Sequence, residues 1–419
     1  MTLQYDEVIT RTLSPAERRV AIQEHETPLV IEPLESRSFP FLQEFLKRNS
    51  SQLLEDIAAH GALLLRGFDV ISPLMFEQIV LSIRGMQGMN EVLLSEAGRT
   101  ITQGTRFVFH TNTLAKTGGA FDFGNFHTEN YGVPDIPRYI SFFCQEPSRL
   151  GGETGLLNTA KVYADVPDSL KYRLEERTCL VTSYSITEME KRYGLSGEII
   201  KKFCERAGLP VFMTRGHWRV AIYKPSVIQH PVTHERALLI SYFFVPGLQK
   251  ALLQTFSRDY LGSEWLLHKL IWKGPWWLPR IGEPQFLVNA LRARQRLRGE
   301  HAADAPLGAT GSRSLGSLFS QEESQRLAKI IRHRFSSFLW RKGDILIVDN
   351  LKMAHSGMAG RGNRELKVMI CNPVLFPSSP TNSGLHVVPY SNDPQECLGT
   401  KLVRLRARGA SMALKQLDP

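Results

Sequence analysis

The run His127-Thr128-Glu129, together with a single histidine far downstream, His355, constrains this chain more than any other feature. In an extended strand successive side chains alternate faces, so His127 and Glu129 would project the same way and could reach one shared ligand. About one His-x-acid pair is expected by chance from 12 histidines and 41 acids in 419 residues, so the spacing gains its meaning from its surroundings. His355 follows a strand-like run, 344–349, and would complete a set of two imidazoles and one carboxylate. Three such ligands on one face of a metal leave three positions open, the arrangement that non-heme Fe(II) oxygenases use to hold a cosubstrate and dioxygen.

Further elements follow in order. Gly151, Gly152, Glu153, Thr154 and Gly155 lie downstream of His127, and a Gly-rich turn, Gly360-Arg361-Gly362-Asn363, lies beyond His355. Taken as a strand, the next residues put Arg364, Leu366, Val368 and Ile370 on one face and Glu365 and Lys367 on the other. Arg364 then points into an apolar interior while Arg361 stays exposed in the turn. A buried guanidinium needs an anionic partner, and its planar fork suits a carboxylate, so a bound dicarboxylate would satisfy it.

Seven ordered blocks carry a resemblance: Gly61 to Phe68, His127-Thr128-Glu129, Gly151 to Thr154, His230 to His234, Trp340 to Asp344, Asp349-Asn350 and His355. On these the chain resembles the TauD/TfdA (taurine dioxygenase-like) family of Fe(II)- and 2-oxoglutarate-dependent oxygenases. The resemblance implies a mainly β, α+β fold, a double-stranded β-helix (jelly roll, clavaminate-synthase-like) with flanking helices. It makes His127, Glu129 and His355 the catalytic iron ligands, and Thr154 and Arg364 the residues that bind the distal carboxylate of 2-oxoglutarate, with dioxygen as the second cosubstrate. Two positions depart from the common pattern. Ser356-Gly357 stands where many relatives carry Gly-Arg, and the carboxylate is Glu where Asp is commoner. Glu leans towards the clavaminate-synthase-like and syringomycin-type hydroxylase branch, and a retained carboxylate argues against halogenation.

With 42% hydrophobic and 22% charged residues the chain can bury a large core, and one elaborated domain over 1–419 is expected. No N-terminal basic segment with an apolar run suggests secretion, and the longest apolar stretch, 237–248, is too short to span a bilayer. A cytoplasmic enzyme with no membrane partner is the expectation. Five scattered cysteines show no Cys-x-x-Cys pair, which speaks against a zinc cluster or a disulfide framework.

Along the chain, residues 1–40 read as a polar arm. Residues 41–60 read as one helix leading into a strand at Ala62–Leu65. Runs 139–143, 237–244, 345–348 and 366–370 read as buried strands of the jelly roll, whose mouth would hold the metal. An insertion, 247–338, interrupts the core. It holds Trp276 and Trp277, a basic run with Arg292, Arg294, Arg296 and Arg298, and a flexible-looking stretch at 302–317. It reads either as a lid or docking surface or as packing with a solvated basic face. Arg404, Arg406 and Arg408 suggest an edge strand with exposed charges. His110, Asn125 and Asn130 flank the His127 segment and are candidates for contact with substrate. His230 and His234 mimic helical metal spacing, but Pro231 between them argues against ligation.

The function this implies is oxidation, by default hydroxylation, of an unactivated C–H bond in a small molecule. An amino-acid or peptide-like intermediate of secondary metabolism is expected, free or carried by an acidic carrier protein that a net charge of +10 would attract. Desaturation, epoxidation or ring closure would need only a different placement of the substrate. A basic, non-catalytic jelly-roll binding module is the alternative of another class, but no nucleic-acid motif supports it.

Overall fold

The computed structural model describes residues 5–89, 100–111, 126–239, 241, 245–273, 313–314, 318–376, 386–387 and 397–408. Its centre is an eight-stranded sheet in the order Val8–Arg11, Leu29–Pro33, Ala62–Leu65, Ile345–Asp349, Asp135–Glu146, Glu365–Leu375 and Gly88–Met89, with Val108–His110 also paired to Glu365–Leu375. Its pairings are antiparallel except Leu29–Pro33 against Ala62–Leu65.

Strict alternation divides this sheet's side chains between two cores. Leu63, Leu65, Tyr139, Phe143, Ile345, Ile347, Met369 and Cys371 pack outward with Phe45, Leu46, Leu53, Ile57, Phe76 and Ile79 of the helices Phe39–Arg48, Ser50–His60 and Pro73–Ser82. Ala62, Leu64, Ile140, Phe142, Leu346, Val348, Val368 and Ile370 turn the other way, onto Leu156, Phe338 and Met353. Those three belong to a smaller sheet, ordered Phe335–Phe338, Thr154–Asn158, Met353–Gly357, that closes the jelly roll. Its outer face, with Leu157, Phe335 and Ala354, is covered by Leu248, Leu252, Leu327 and Ile331 of the helices Pro246–Phe256 and Gln321–His333. Every strand that carries a site residue is thus packed on both faces.

Several elements differ from the sequence expectations. The 1–40 arm supplies two strands of the main sheet, and its Leu13 and Val30 enter the barrel interior. Residues 41–60 form two helices, divided at Asn49, whose backbone N–H and side-chain Nδ2 both donate to Phe45 O. The 237–244 run contributes only the short strand Arg236–Leu238 among its described residues. Within the 247–338 segment, Phe335–Phe338 is a strand of the barrel itself, paired with Thr154–Asn158. Trp276, Trp277 and the 292–298 basic run lie outside the described residues. The basic tail is a helix, Leu398–Arg408, that buries Leu398, Leu402 and Leu405 and leaves Arg404 and Arg406 exposed. The four- and three-residue leucine spacing of a helix face outweighed the two-residue arginine period because the leucines are what the neighbouring elements can bury. All five cysteines are buried and none forms a disulfide, and among the described residues no helix is long and apolar enough to cross a membrane.

Gly61 ends the Ser50–His60 helix at φ +78, and its carbonyl accepts the backbone N–H of Asp349 at 2.9 Å. A Cβ there would overlap the Met353 sulfur. Gly61→Ala therefore meets both a left-handed backbone and an occupied space, and is expected to lower stability by about 2 to 4 kcal/mol in urea unfolding.

Candidate metal centre

His127 and His355 form an isolated antiparallel bridge, each backbone N–H donating to the other's carbonyl at 3.1 Å. Directly opposed residues of such a pair project from the same side, so the two imidazoles meet, with ring centroids 4.5 Å apart. Met353–Gly357 pairs with Thr154–Asn158 so that His355 stands opposite Leu156, facing the barrel interior, and its ring meets Phe142 edge-on at 5.3 Å.

Glu129 reaches the same point by a turn and not along a strand: Tyr131 N–H donates to Thr128 O, and Asn130 adopts φ +60. The strand expected over 127–129 is absent, yet the convergence it was meant to explain is present. Glu129 Oε2 lies 3.6 Å from both His127 Nε2 and His355 Nε2. One ligand atom from each of the three residues falls within a 4.8 Å cluster. His127 is partly open to solvent while Glu129 and His355 are buried, which gives a donor set of two imidazoles and one carboxylate with one side accessible. This donor set fits a non-heme Fe(II) centre with open coordination positions.

Thr154 lies on the same interior face as Leu156, opposite Gly357 on one side and Phe338 on the other. Its hydroxyl accepts Trp340 Nε1–H at 3.2 Å, which leaves the hydroxyl proton available to donate. Arg364 approaches from across Gly357: a Cβ on that glycine would sit 3.5 Å from Arg364 Nη2. The Arg364 side chain is buried, donates from Nη1 to Gly152 O at 2.6 Å, and has no carboxylate within ion-pair distance among the described residues. Burial lowers its pKa to about 10, with Cys144 and Glu153 acting in the other direction, so it remains a cation at neutral pH. A buried cation satisfied by one carbonyl is a site suited to a ligand carboxylate. Arg361 is half-buried in a two-residue bridge to Leu150, where exposure was expected.

The remaining candidates separate. His110 pairs with Lys367, whose Nζ lies 3.0 Å from His110 Nδ1. Phe109 turns into the barrel interior, and alternation puts His110 on the opposite face of the sheet, away from the side His355 faces. Asn130 shapes the turn after Glu129, and its side-chain Nδ2 is buried with no partner among the described residues. Asn125 lies outside the described residues. His234 is exposed at φ +57.

Sequence reading assigned no role to Asn350, which clamps the Glu129 backbone. Glu129 N–H donates to Asn350 Oδ1 at 2.7 Å, and Asn350 Nδ2 donates to Glu129 O at 3.3 Å and Pro137 O at 2.9 Å. Beside it Asp349 is fully buried, accepting from Arg138 at 3.1 Å and from His230 Nε2 at 2.9 Å. The backbone N–H of Thr233 donates to His230 Nδ1 at 3.0 Å, which assigns the proton to Nε2. Burial alone would raise the Asp349 pKa, but Arg138 and His230 outweigh it and hold the carboxyl well below the usual range. The signal available in sequence was the Asp349-Asn350 pair itself, placed at the end of a buried strand.

A barrel with these groups at its mouth defines a class of non-heme metal oxygenases. The family model for the taurine catabolism dioxygenase TauD, TfdA family matches residues 27–258, and the chain belongs to this family. Enzymes of this family use Fe(II), 2-oxoglutarate and dioxygen. The chain is 20% identical over 341 residues to the dapdiamide synthesis protein DdaC of Enterobacter agglomerans, covering 78% of this chain and 87% of that one. Solved structures similar to it include PvcB, an Fe, alpha-ketoglutarate dependent oxygenase from an isonitrile synthetic pathway, at 16% identity and TM-score 0.44 over 90% of this chain and 97% of that one. A taurine dioxygenase from Burkholderia xenovorans matches at 11% identity and TM-score 0.45 over 94% and 99%.

Asn350→Leu keeps similar bulk and removes both contacts to Glu129. Loss of such a supporting partner is expected to weaken Mn(II) binding, measured by anaerobic titration, by about ten- to a hundredfold.

Proposed function

We propose that this enzyme hydroxylates an unactivated C–H bond of an amino-acid or peptide-like small molecule in a biosynthetic pathway, free or bound to an acidic carrier protein. The reading rests above all on one observation: His127, Glu129 and His355 bring three ligand atoms within 4.8 Å of one another in a chain of a dioxygenase family. In this reading those three residues hold Fe(II). Arg364 and Thr154 bind the distal carboxylate of 2-oxoglutarate, the guanidinium by charge-assisted hydrogen bonds and the hydroxyl by donation. Support for a biosynthetic substrate comes from the relative named for dapdiamide synthesis.

When bound, the iron couples oxidative decarboxylation of 2-oxoglutarate, to succinate and carbon dioxide, to oxidation of the substrate. The chain's own part is geometric and electrostatic. The backbone bridge fixes the two imidazoles, and Asn350 holds the Glu129 backbone in the turn that brings its carboxylate beside them. Phe142, packed edge-on against His355, gives the interior side of the centre an apolar wall. Desaturation, epoxidation or ring closure are the outcomes that another substrate placement would give.

Incubation with Fe(II), 2-oxoglutarate and oxygen is expected to yield succinate. Free and carrier-bound amino acids, screened by mass spectrometry, should include one that gains the mass of one oxygen atom. A protein that makes no succinate with any candidate would be a binding module instead. His127→Ala, Glu129→Ala and His355→Ala are each expected to abolish turnover while the barrel stays folded by circular dichroism; substantial activity in His355→Ala would sink the assignment.

A second expectation separates the arginines. Each hydrogen bond to a charged group contributes about 1.5 to 3 kcal/mol, so Arg364→Ala should weaken 2-oxoglutarate binding by about a hundredfold or more. Arg361→Ala should change it little. The reverse order in a calorimetric titration would remove Arg364 from the site.

A further inference from the structure

Glu153 lies between Gly152, whose carbonyl takes the Arg364 hydrogen bond, and Thr154, and is fully buried. Its Oε1 accepts Arg19 Nε–H at 2.7 Å, while Oε2 has no partner among the described residues. Arg19 comes from the N-terminal segment and stacks over Tyr260, its guanidinium carbon 3.6 Å from the ring centroid and 5.4 Å from that of Trp265. Trp265 in turn abuts the turn that carries Glu153: a Cβ on Gly151 would sit 2.7 Å from its ring. His268 reaches Gly360 O at 3.3 Å on the paired strand. Two segments remote in sequence, around Arg19 and over 257–268, thus converge behind the turn that presents Thr154 and faces Arg364.

The charges there have a consequence for ligand binding. Arg364 and Glu153 act on each other electrostatically, and without Arg19 their charges would cancel. A buried carboxylate lacking its own cation would draw on Arg364 and compete with any incoming carboxylate. With Arg19 paired to Glu153, the three groups sum to one positive charge, matching one ligand carboxylate.

We infer that Arg19 is a positioning residue of the cosubstrate site: by neutralising Glu153 it leaves Arg364 free to bind the distal carboxylate of 2-oxoglutarate, and the 257–268 segment holds it there. This rests on the reading of Arg364 under Proposed function. The ring stack restricts the guanidinium, and with the Arg19 side chain 13% exposed and that of Glu153 fully buried the ion pair is shielded enough for its charge compensation to be felt.

The test is calorimetric titration of N-oxalylglycine, a non-reacting analogue of 2-oxoglutarate, into the full-length Mn(II)-loaded protein, with Mn(II) affinity and Tm measured for each variant. Arg19→Gln is expected to weaken N-oxalylglycine at least tenfold with Mn(II) affinity unchanged. Glu153→Gln should stay within threefold of the wild type, and the double variant should return to that range, because Arg364 again stands alone as a net cation. Arg19→Lys retains the charge without the planar stack and should bind within threefold of the wild type, which keeps the test decisive if Arg19→Gln does not fold. Wild-type binding by Arg19→Gln, or a double variant as weak as Arg19→Gln, would overturn the inference in favour of a purely structural ion pair. Arg364→Gln separates this from the underlying reading: if it binds N-oxalylglycine as tightly as the wild type, the assignment of Arg364 fails, whatever Arg19 does.

Discussion

The reciprocal backbone pair between His127 and His355 is the contact on which the centre depends. Two hydrogen bonds of 3.1 Å fix which residues are opposed, and opposition in an antiparallel pair puts both rings on one side. A slip of one residue would turn His355 outward with Ala354 into the core beneath the outer helices. Register is held by the neighbours: Met353–Gly357 pairs along its whole length with Thr154–Asn158, and Leu156 and Met353 are anchored in the interior cluster. Apolar burial on both faces of the smaller sheet thus sets the position of the imidazoles.

The carboxylate depends on a different device. Glu129 lies in a turn, where no ladder fixes it, and the Asn350 side chain substitutes for a neighbouring strand by offering one acceptor and one donor to its backbone. Asn350 is itself set by the strand Ile345–Asp349, which pairs with Ala62–Leu65 and Asp135–Glu146, and by the buried Asp349–His230–Arg138 cluster. Buried polar groups are costly when half satisfied. A cluster of this kind therefore resists displacement, and it links the site to Gly61 at the end of a helix through Asp349 N–H.

Behind the glycine turn the same logic operates with charge. Gly151 and Gly360 pair so closely that a side chain on Gly360 would strike the Gly152 backbone. The turn can therefore bring the Gly152 carbonyl and Thr154 close to Arg364. Arg19, Tyr260 and Trp265 fill the space on its far side. The 257–268 segment packs against the turn at this point, and its Trp265 and Tyr260 are buried there.

The sequence alone pointed to the three residues whose ligand atoms converge and to the buried strands around 139–143, 345–348 and 366–370, because two histidines and a carboxylate in such surroundings have few uses, and a short continuous apolar run such as 345–348 suits a strand buried on both faces. It also determined that Arg364 turns inward, since its neighbours Leu366 and Val368 do. What only the tertiary structure decided were features set by long-range partners. The N-terminal segment became two strands because the edge of Ala62–Leu65 offered unpaired hydrogen bonds. The tail became a helix because a buried face was available to Leu402 and Leu405, although its arginines repeat with a strand's period. His110 faced away from the centre because its strand pairs with Lys367. The partner of Glu129 is a side chain distant in sequence, and so is that of Glu153. No local pattern encodes either, because a hydrogen bond between remote residues is specified by the fold that brings them together.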